Sequence, residues 1–157
     1  MKKAAFLLLF ILILSGCSEK SQLIDSPKPP ATPDPCPAEQ INQFLEFAES
    51  AESRLTELTR QADSTPGEEL EPIIKEMQVI ESEAKEIDPP SCALKAKSAL
   101  TSYLETLIQG YFRLYTQGIG ITPLSNARSA DDEFNLAASK LEYYETEKEA
   151  LRNLLQE

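Results

Sequence analysis

The chain has 157 residues, 26 of them acidic and 15 basic, and its formal net charge is −11. A surface this acidic repels phosphate backbones, so nucleic acid is excluded as a favourable partner. The chain contains no histidine. This absence rules out Ser-His-Asp and Cys-His catalytic arrangements and removes the commonest ligand of transition metals. We therefore expect a non-enzymatic protein that needs no cofactor and no metal.

The first predicted element is a secretory signal peptide in residues 1–16. Lys2 and Lys3 give it a positive start, and an apolar run of about 11 residues follows, too short for the roughly 20 residues of a spanning helix. The run ends in the sequence Leu-Ser-Gly-Cys at 14–17. This motif resembles the lipobox of bacterial lipoproteins, which are diacylated on the cysteine and cleaved before it. The resemblance implies a palmitate-type lipid on Cys17 and a location on the outer side of a cell membrane or outer membrane.

The lipid anchor and a proline-rich tether are predicted for residues 17–35. The composition is rich in proline and poor in apolar residues, which favours extended polyproline conformations and prevents collapse. Such a segment spans up to roughly 55 Å. The alternative is a disordered leader that has no role as a spacer.

Residues 36–157 are predicted to form one all-α domain. Apolar residues recur at three- and four-residue spacing in four stretches, which is the pattern of amphipathic helices. The first stretch carries them at Ile41, Phe44, Leu45, Ala48, Ala51, Leu55, Leu58 and Ala62. The later stretches run over 70–87, 96–114 and 130–154. Four such segments predict an up-down-up-down four-helix bundle; a three-helix core with a separate arm and a helical dimer are the alternatives.

Proline and glycine mark the joints between these helices. The segment from Thr65 to Glu68 predicts a capping box before the second helix. Pro72 predicts either a bent first turn or a helix that starts at this proline. Gly118 ends the third helix, which is the most apolar and is expected to be buried along its face, from Ala96 through Phe112 to Leu114.

Two cysteines remain once Cys17 carries lipid. Cys36 lies at the start of the first helix and Cys92 at the start of the third. These helices run parallel in an up-down bundle, so both cysteines are expected at the same end. A bond between them closes a loop of 57 residues, worth about 4 kcal/mol in the chain-entropy treatment. We predict this disulfide; two buried free thiols are the alternative.

The candidate binding residues are tyrosines of the third and fourth helices. Tyrosine combines apolar area with a polar tip, which suits pockets and interfaces. Arg113 is the cation that we expect to meet an anionic group beside them. The acidic runs at 131–133 and 142–147 are interpreted as solvated helix surface. The tyrosines in question are Tyr103, Tyr111, Tyr115 and Tyr144, and their alternative role is core and partly exposed rim.

Two functions fit these features. The first is a membrane-anchored interaction or structural module, held by the lipid on Cys17, whose expected partner is another envelope protein; a homodimer is the other assembly considered. The second is a sensor that binds a small molecule or peptide in a pocket between the third and fourth helices. An enzyme that uses carboxylates alone is disfavoured, because the periodicity places most acidic residues on the outside.

Overall fold

The computed structural model describes residues 36–122 and 126–156. The predicted signal peptide at 1–16, the lipidation site Cys17 and the tether at 17–35 lie outside these ranges and stay predictions. No helix in the described ranges has the length and apolarity needed to cross a membrane.

The described part of the chain is all-α, so the predicted helical bundle is confirmed. Short 3₁₀ turns precede the second and third helices, and no strand occurs within 36–122 or 126–156. The four helices are α1 (Ala38–Ala62), α2 (Glu71–Glu86), α3 (Leu94–Gly118) and α4 (Ala130–Leu154), and the 3₁₀ turns are Gly67–Glu69 and Ser91–Ala93.

The core is formed by the apolar faces that the sequence pattern predicts. All eight apolar residues predicted for the first helix are buried on α1. Most apolar-face residues of the later helices are buried or half-buried, and two are exposed. Phe112 is 42% exposed because it lies beyond the buried stripe that ends at Tyr111, and Leu154 is 47% exposed in the last residue of α4.

The joint between α1 and α2 differs from the predicted one. The predicted capping box at Thr65 is wrong, because its hydroxyl donates to the carbonyl of Gln61 at 2.7 Å and caps nothing downstream. The α-helix begins at Glu71 and places Pro72 in its first turn, where a missing N–H breaks no helical bond.

Helix α3 is the centre of the packing. Its backbone runs close to α2 and α4, whereas α1 and α4 keep their backbones farther apart. Contacts between neighbouring helices pair rising residue numbers with falling ones, as antiparallel helices do. The contacting pairs are Arg54 with Glu83, Glu71 with Tyr115, Thr106 with Lys140, Tyr111 with Phe134, and Glu52 with Lys148. They favour the up-down-up-down order, which stays a prediction.

Two glycines of α3 permit these close approaches. A Cβ at Gly110 would lie 2.5 Å from the ring of Phe134 on α4. A Cβ at Gly118 would overlap the backbone of Gly67 and Glu68 in the first 3₁₀ turn. Helix α3 ends at Gly118, as predicted, and this glycine also lets the α1–α2 joint pack against it.

The two ends of the bundle are closed differently. At one end the sulfur atoms of Cys36 and Cys92 lie at disulfide distance, with their Cα atoms 5.8 Å apart. A separate apolar cluster that includes Ile41, Phe44 and Leu151 packs around them. We call this the disulfide end. The opposite end, which contains the first 3₁₀ turn and the last residue of α3, Gly118, is called the far end.

Candidate functional site

Three tyrosines of α3 and α4 meet one face of α1. The hydroxyl of Tyr144 donates to the carboxylate of Glu52, and that of Tyr111 donates to Asp63 Oδ1 at 3.2 Å. Tyr103 lines a cavity together with Glu52 and other residues of α1, and burial, followed by the charge of Glu52, raises its pKa. The three tyrosines therefore lie along the interface between α1 and helices α3 and α4. We call them the tyrosine row.

The disulfide side of this row is a closed ionic network. The ammonium of Lys148 is buried, 2.7 Å from Glu52 and 2.8 Å from Glu145, and it lies 5.0 Å from the ring centre of Tyr144. Burial and the hydrogen bond to Glu52 raise the pKa of Tyr144, so its hydroxyl stays protonated and donates. These groups satisfy one another, and the network joins α4 to α1.

A cavity of about 280 Å³ lies beside this network. Its acidic lining residues are Glu52 and Glu145, and both carboxylates already pair with Lys148. Tyr103 also lines it. Both carboxylates of this cavity therefore already form ion pairs within the protein, and a cationic ligand there would compete with Lys148.

The larger cavity, of about 490 Å³, lies at the far end of the tyrosine row. Residues at the end of α1, the first 3₁₀ turn, α3 and α4 line it: Ala62, Asp63, Thr65, Gly67, Leu70, Tyr111, Leu114 and Phe134. The volume falls within the roughly 300–1,000 Å³ that is typical of small-molecule sites. We call it the far-end cavity.

Two aromatic rings and one carboxylate define the chemistry of the far-end cavity. The rings of Tyr111 and Phe134 meet edge to face, with centres 5.0 Å apart and planes inclined at 67°. Burial, followed by the charge of Asp63, raises the pKa of Tyr111 to about 12, so the phenol stays neutral. Asp63 is exposed, and no lysine or arginine of the described residues forms an ion pair with it.

The remaining two candidate residues lie apart from the tyrosine row. The hydroxyl of Tyr115 donates to Glu71 Oε2 on α2 at 3.3 Å. Arg113 is half-buried, and its Nε atom is buried without a hydrogen-bond partner among the described residues. It does not line the far-end cavity. The structure thus brings Tyr103, Tyr111 and Tyr144 to α1 and leaves Tyr115 and Arg113 outside the row.

Exposed apolar side chains lie in the last turns of α3 and just after it. Phe112 and Ile119 lie seven residues apart, two turns along one face of α3 and its extension, and are 42% and 44% exposed. Ile121 follows them at 53% exposed. Tyr115 lies between them on the same face, with its ring centre 6.3 Å from that of Phe112. We call Phe112, Ile119 and Ile121 the far-end apolar surface.

The acidic clusters do not assemble into a metal site within 36–122 and 126–156, where no three acidic or cysteine side chains converge. Asp132 instead belongs to a capping box, because its backbone N–H donates to Ser129 Oγ at 3.1 Å and its carboxylate accepts from Ser129. The buried Glu133 lies 3.7 Å from Arg128.

Comparison with known proteins adds no relative. No protein-family model matches this chain, and no curated protein and no solved structure matches it significantly.

Sequence reasoning alone did not identify Asp63 as part of a site. Its partner Tyr111 is 48 residues away, and no local spacing links the two. Phe134 belongs to the apolar pattern of the fourth predicted helix. That pattern indicates burial, but it does not distinguish a core residue from one that lines a cavity. Gly67 was interpreted only as part of a cap, although its place is set by contact with α3.

Proposed function

We propose that this protein is a lipid-anchored envelope lipoprotein that acts as a non-enzymatic interaction module, with the far end of its helical domain as the docking surface. The lipobox-like motif that ends at Cys17 supports the anchor. Mass spectrometry of the mature N-terminus tests it: we expect an acylated Cys17 as the first residue, and an unmodified or uncleaved N-terminus would contradict the anchor.

The observation that carries the docking proposal is the far-end apolar surface. Large apolar side chains that are grouped together and rimmed by polar residues are typical of protein interaction sites. Helix α3 has 25 residues and is therefore about 37 Å long, which separates this surface from the disulfide end.

The partner that fits this surface is a basic amphipathic segment of another envelope protein. Two exposed acidic residues of the first 3₁₀ turn lie next to the end of α3 at this end of the bundle: Glu68 and Glu69. Electrostatic complementarity with lysine or arginine would steer such a segment onto the surface. A second copy of this chain would instead bring two acidic rims together, which disfavours a symmetric dimer.

A defined peptide tests the docking proposal. We expect the full chain to bind an amphipathic Leu/Lys helix and to reject the matching Leu/Glu helix in a calorimetric titration. Replacing Ile119 and Ile121 together by serine should weaken binding about tenfold or more, because two apolar contacts are lost.

Leu94→Ser is the matched control, because Leu94 is 54% exposed at the opposite end of the same helix. This control should bind like the wild type. Equal loss in the control, or equal affinity for the acidic peptide, would contradict the proposal. If the wild type sediments as a dimer and the double serine variant sediments as a monomer, the surface would instead bind a second copy of this chain.

A second candidate function is ligand sensing, and the far-end cavity is the observation that favours it. The cavity involves α3 and α4, the two helices for which a pocket is predicted from the sequence, together with the α1–α2 joint. A panel of small molecules that share an aromatic body should raise the melting temperature of the wild type. No stabilisation by any of them would count against sensing and would leave the docking proposal untouched.

A further inference from the structure

We propose that the far-end cavity binds a small organic cation, a protonated or quaternary amine attached to an apolar body. This inference rests on the second candidate function and names its ligand class. It does not depend on the far-end apolar surface.

The first support is the charge that the cavity offers. Asp63, an exposed residue, is the one carboxylate among the residues that line it, and no described lysine or arginine forms an ion pair with that carboxylate. Its Oδ1 atom accepts the hydroxyl of Tyr111, which orients the side chain toward α3. The phenol itself stays neutral, because burial raises its pKa to about 12. A ligand in the cavity therefore meets a negative charge that the protein has positioned and left unpaired.

The second support is the aromatic wall. Tyr111 and Phe134 both line the cavity and hold each other in an edge-to-face arrangement. Aromatic faces attract ammonium groups through the ring quadrupole, and aromatic side chains form the cages that bind quaternary ammonium ligands. Leu70 and Leu114 extend the apolar lining, so the ligand gains from carrying an apolar body.

The third support is that the other ligand classes fit poorly. An anion would face Asp63 and a chain of net charge −11. A bare metal ion would find too few ligands, since no three acidic or cysteine side chains converge anywhere in the described part of the chain. The 280 Å³ cavity is a poorer cation site, because Lys148 already occupies its carboxylates.

The test is a calorimetric titration of the full chain in detergent with three probes of similar shape. These are phenethylamine, which is cationic at neutral pH, 2-phenylethanol, which is neutral, and 3-phenylpropanoate, which is anionic. We expect the cation to bind about tenfold or more tightly than the neutral probe, and the anion to bind least.

Two asparagine variants separate the local carboxylate from the general field of the protein. Asp63→Asn should weaken binding of phenethylamine about tenfold or more and leave 2-phenylethanol unchanged. Asp131→Asn removes the same charge from an exposed position at the same end and should change neither affinity by more than about twofold. The melting temperature of each variant verifies that it is folded.

The possible failures are distinct. Equal weakening by Asp63→Asn and Asp131→Asn would overturn the inference, because only the overall charge would then matter. Equal binding of the three probes would overturn the cation assignment while leaving a ligand cavity in place. Binding of none of them would overturn the cavity as a site and the second candidate function with it.

Discussion

The disulfide end and the far end of this bundle are stabilised by different kinds of contact. At the disulfide end, Cys36 and Cys92 lie at bonding distance, and an apolar cluster that includes Phe44 and Leu151 fills the space around them. Lys97 completes this end by donating to the carbonyl groups of Lys85 and Ile87, the last turn of α2. Covalent chemistry, apolar packing and capping act together there.

The far end is held by contacts without a covalent link. The first 3₁₀ turn packs directly on the backbone of Gly118, and Ser129 caps α4. Between these contacts lie the far-end cavity and the far-end apolar surface. The two ends therefore differ in packing: the disulfide end is filled, whereas the far end keeps a cavity and exposed apolar side chains.

The largest expected effect is at the disulfide end. Replacing Cys36 and Cys92 together by serine should lower the free energy of unfolding by about 2–4 kcal/mol, because the unfolded chain regains the freedom of a long loop. Urea unfolding measures this loss. Reduction of the wild type should reproduce the value, and a double variant as stable as the oxidised wild type would show that no such bond forms.

An intermediate effect is expected at the far end for Gly118→Ala. Helix propensity alone predicts a gain of about 1 kcal/mol, whereas overlap of the new Cβ with the backbone of Gly67 and Glu68 predicts a loss of about 1–3 kcal/mol. We expect the loss, because backbone atoms cannot rotate away. Gln117→Ala, at an exposed neighbouring position, is the control and should be near neutral. A stabilised Gly118→Ala would show that the α1–α2 joint does not depend on this contact.

The smallest expected effect is a pH dependence at the start of α4. Hydrogen bonds from the hydroxyl and then the backbone N–H of Ser129 lower the pKa of Asp132 below its ordinary value of 3.8. A lowered pKa means that this contribution is present above about 3.8 and is lost as the pH falls through the folded value. Wild type should therefore exceed Asp132→Asn in stability at neutral pH, and the difference should vanish in acid.

Asp131→Asn is the control for that titration, because it removes a charge from the same helical turn without the bonds to Ser129. Denaturant unfolding at a series of pH values compares the three proteins. The same pH dependence in both variants would attribute the effect to the helix dipole in general and would argue against the capping box.

Much of the fold could be predicted from the sequence, because the amphipathic pattern is a local property. The buried positions of α1 follow directly from their three- and four-residue spacing, and the ends of α3 follow from proline and glycine. The pairing of Cys36 with Cys92 could also be anticipated, since it follows from the order of the helices and the count of cysteines. Phe112 was assigned to the core in error, because periodicity does not set the width of the buried stripe.

The functional site was only partly predictable. The sequence names Tyr111 as a candidate, but its partner Asp63 lies outside any periodic stretch. The sequence also could not show that Tyr144 is paired with Glu52 inside the bundle whereas Tyr115 reaches α2. Which face of a tyrosine-bearing helix meets which neighbour depends on the rotation of the packed helices, and no local signal encodes that rotation.

By itself, the sequence of this protein determines four amphipathic helices, their joints and their acidic surface, since each depends on neighbours within a few residues. It also carries the lipobox-like motif at Cys17, from which the anchor is proposed. The tertiary structure alone decides that α3 lies at the centre, that Gly118 admits the α1–α2 joint, and that Tyr111 donates to Asp63 beside the far-end cavity. These relations join residues tens of positions apart, and only packing in three dimensions brings such residues together.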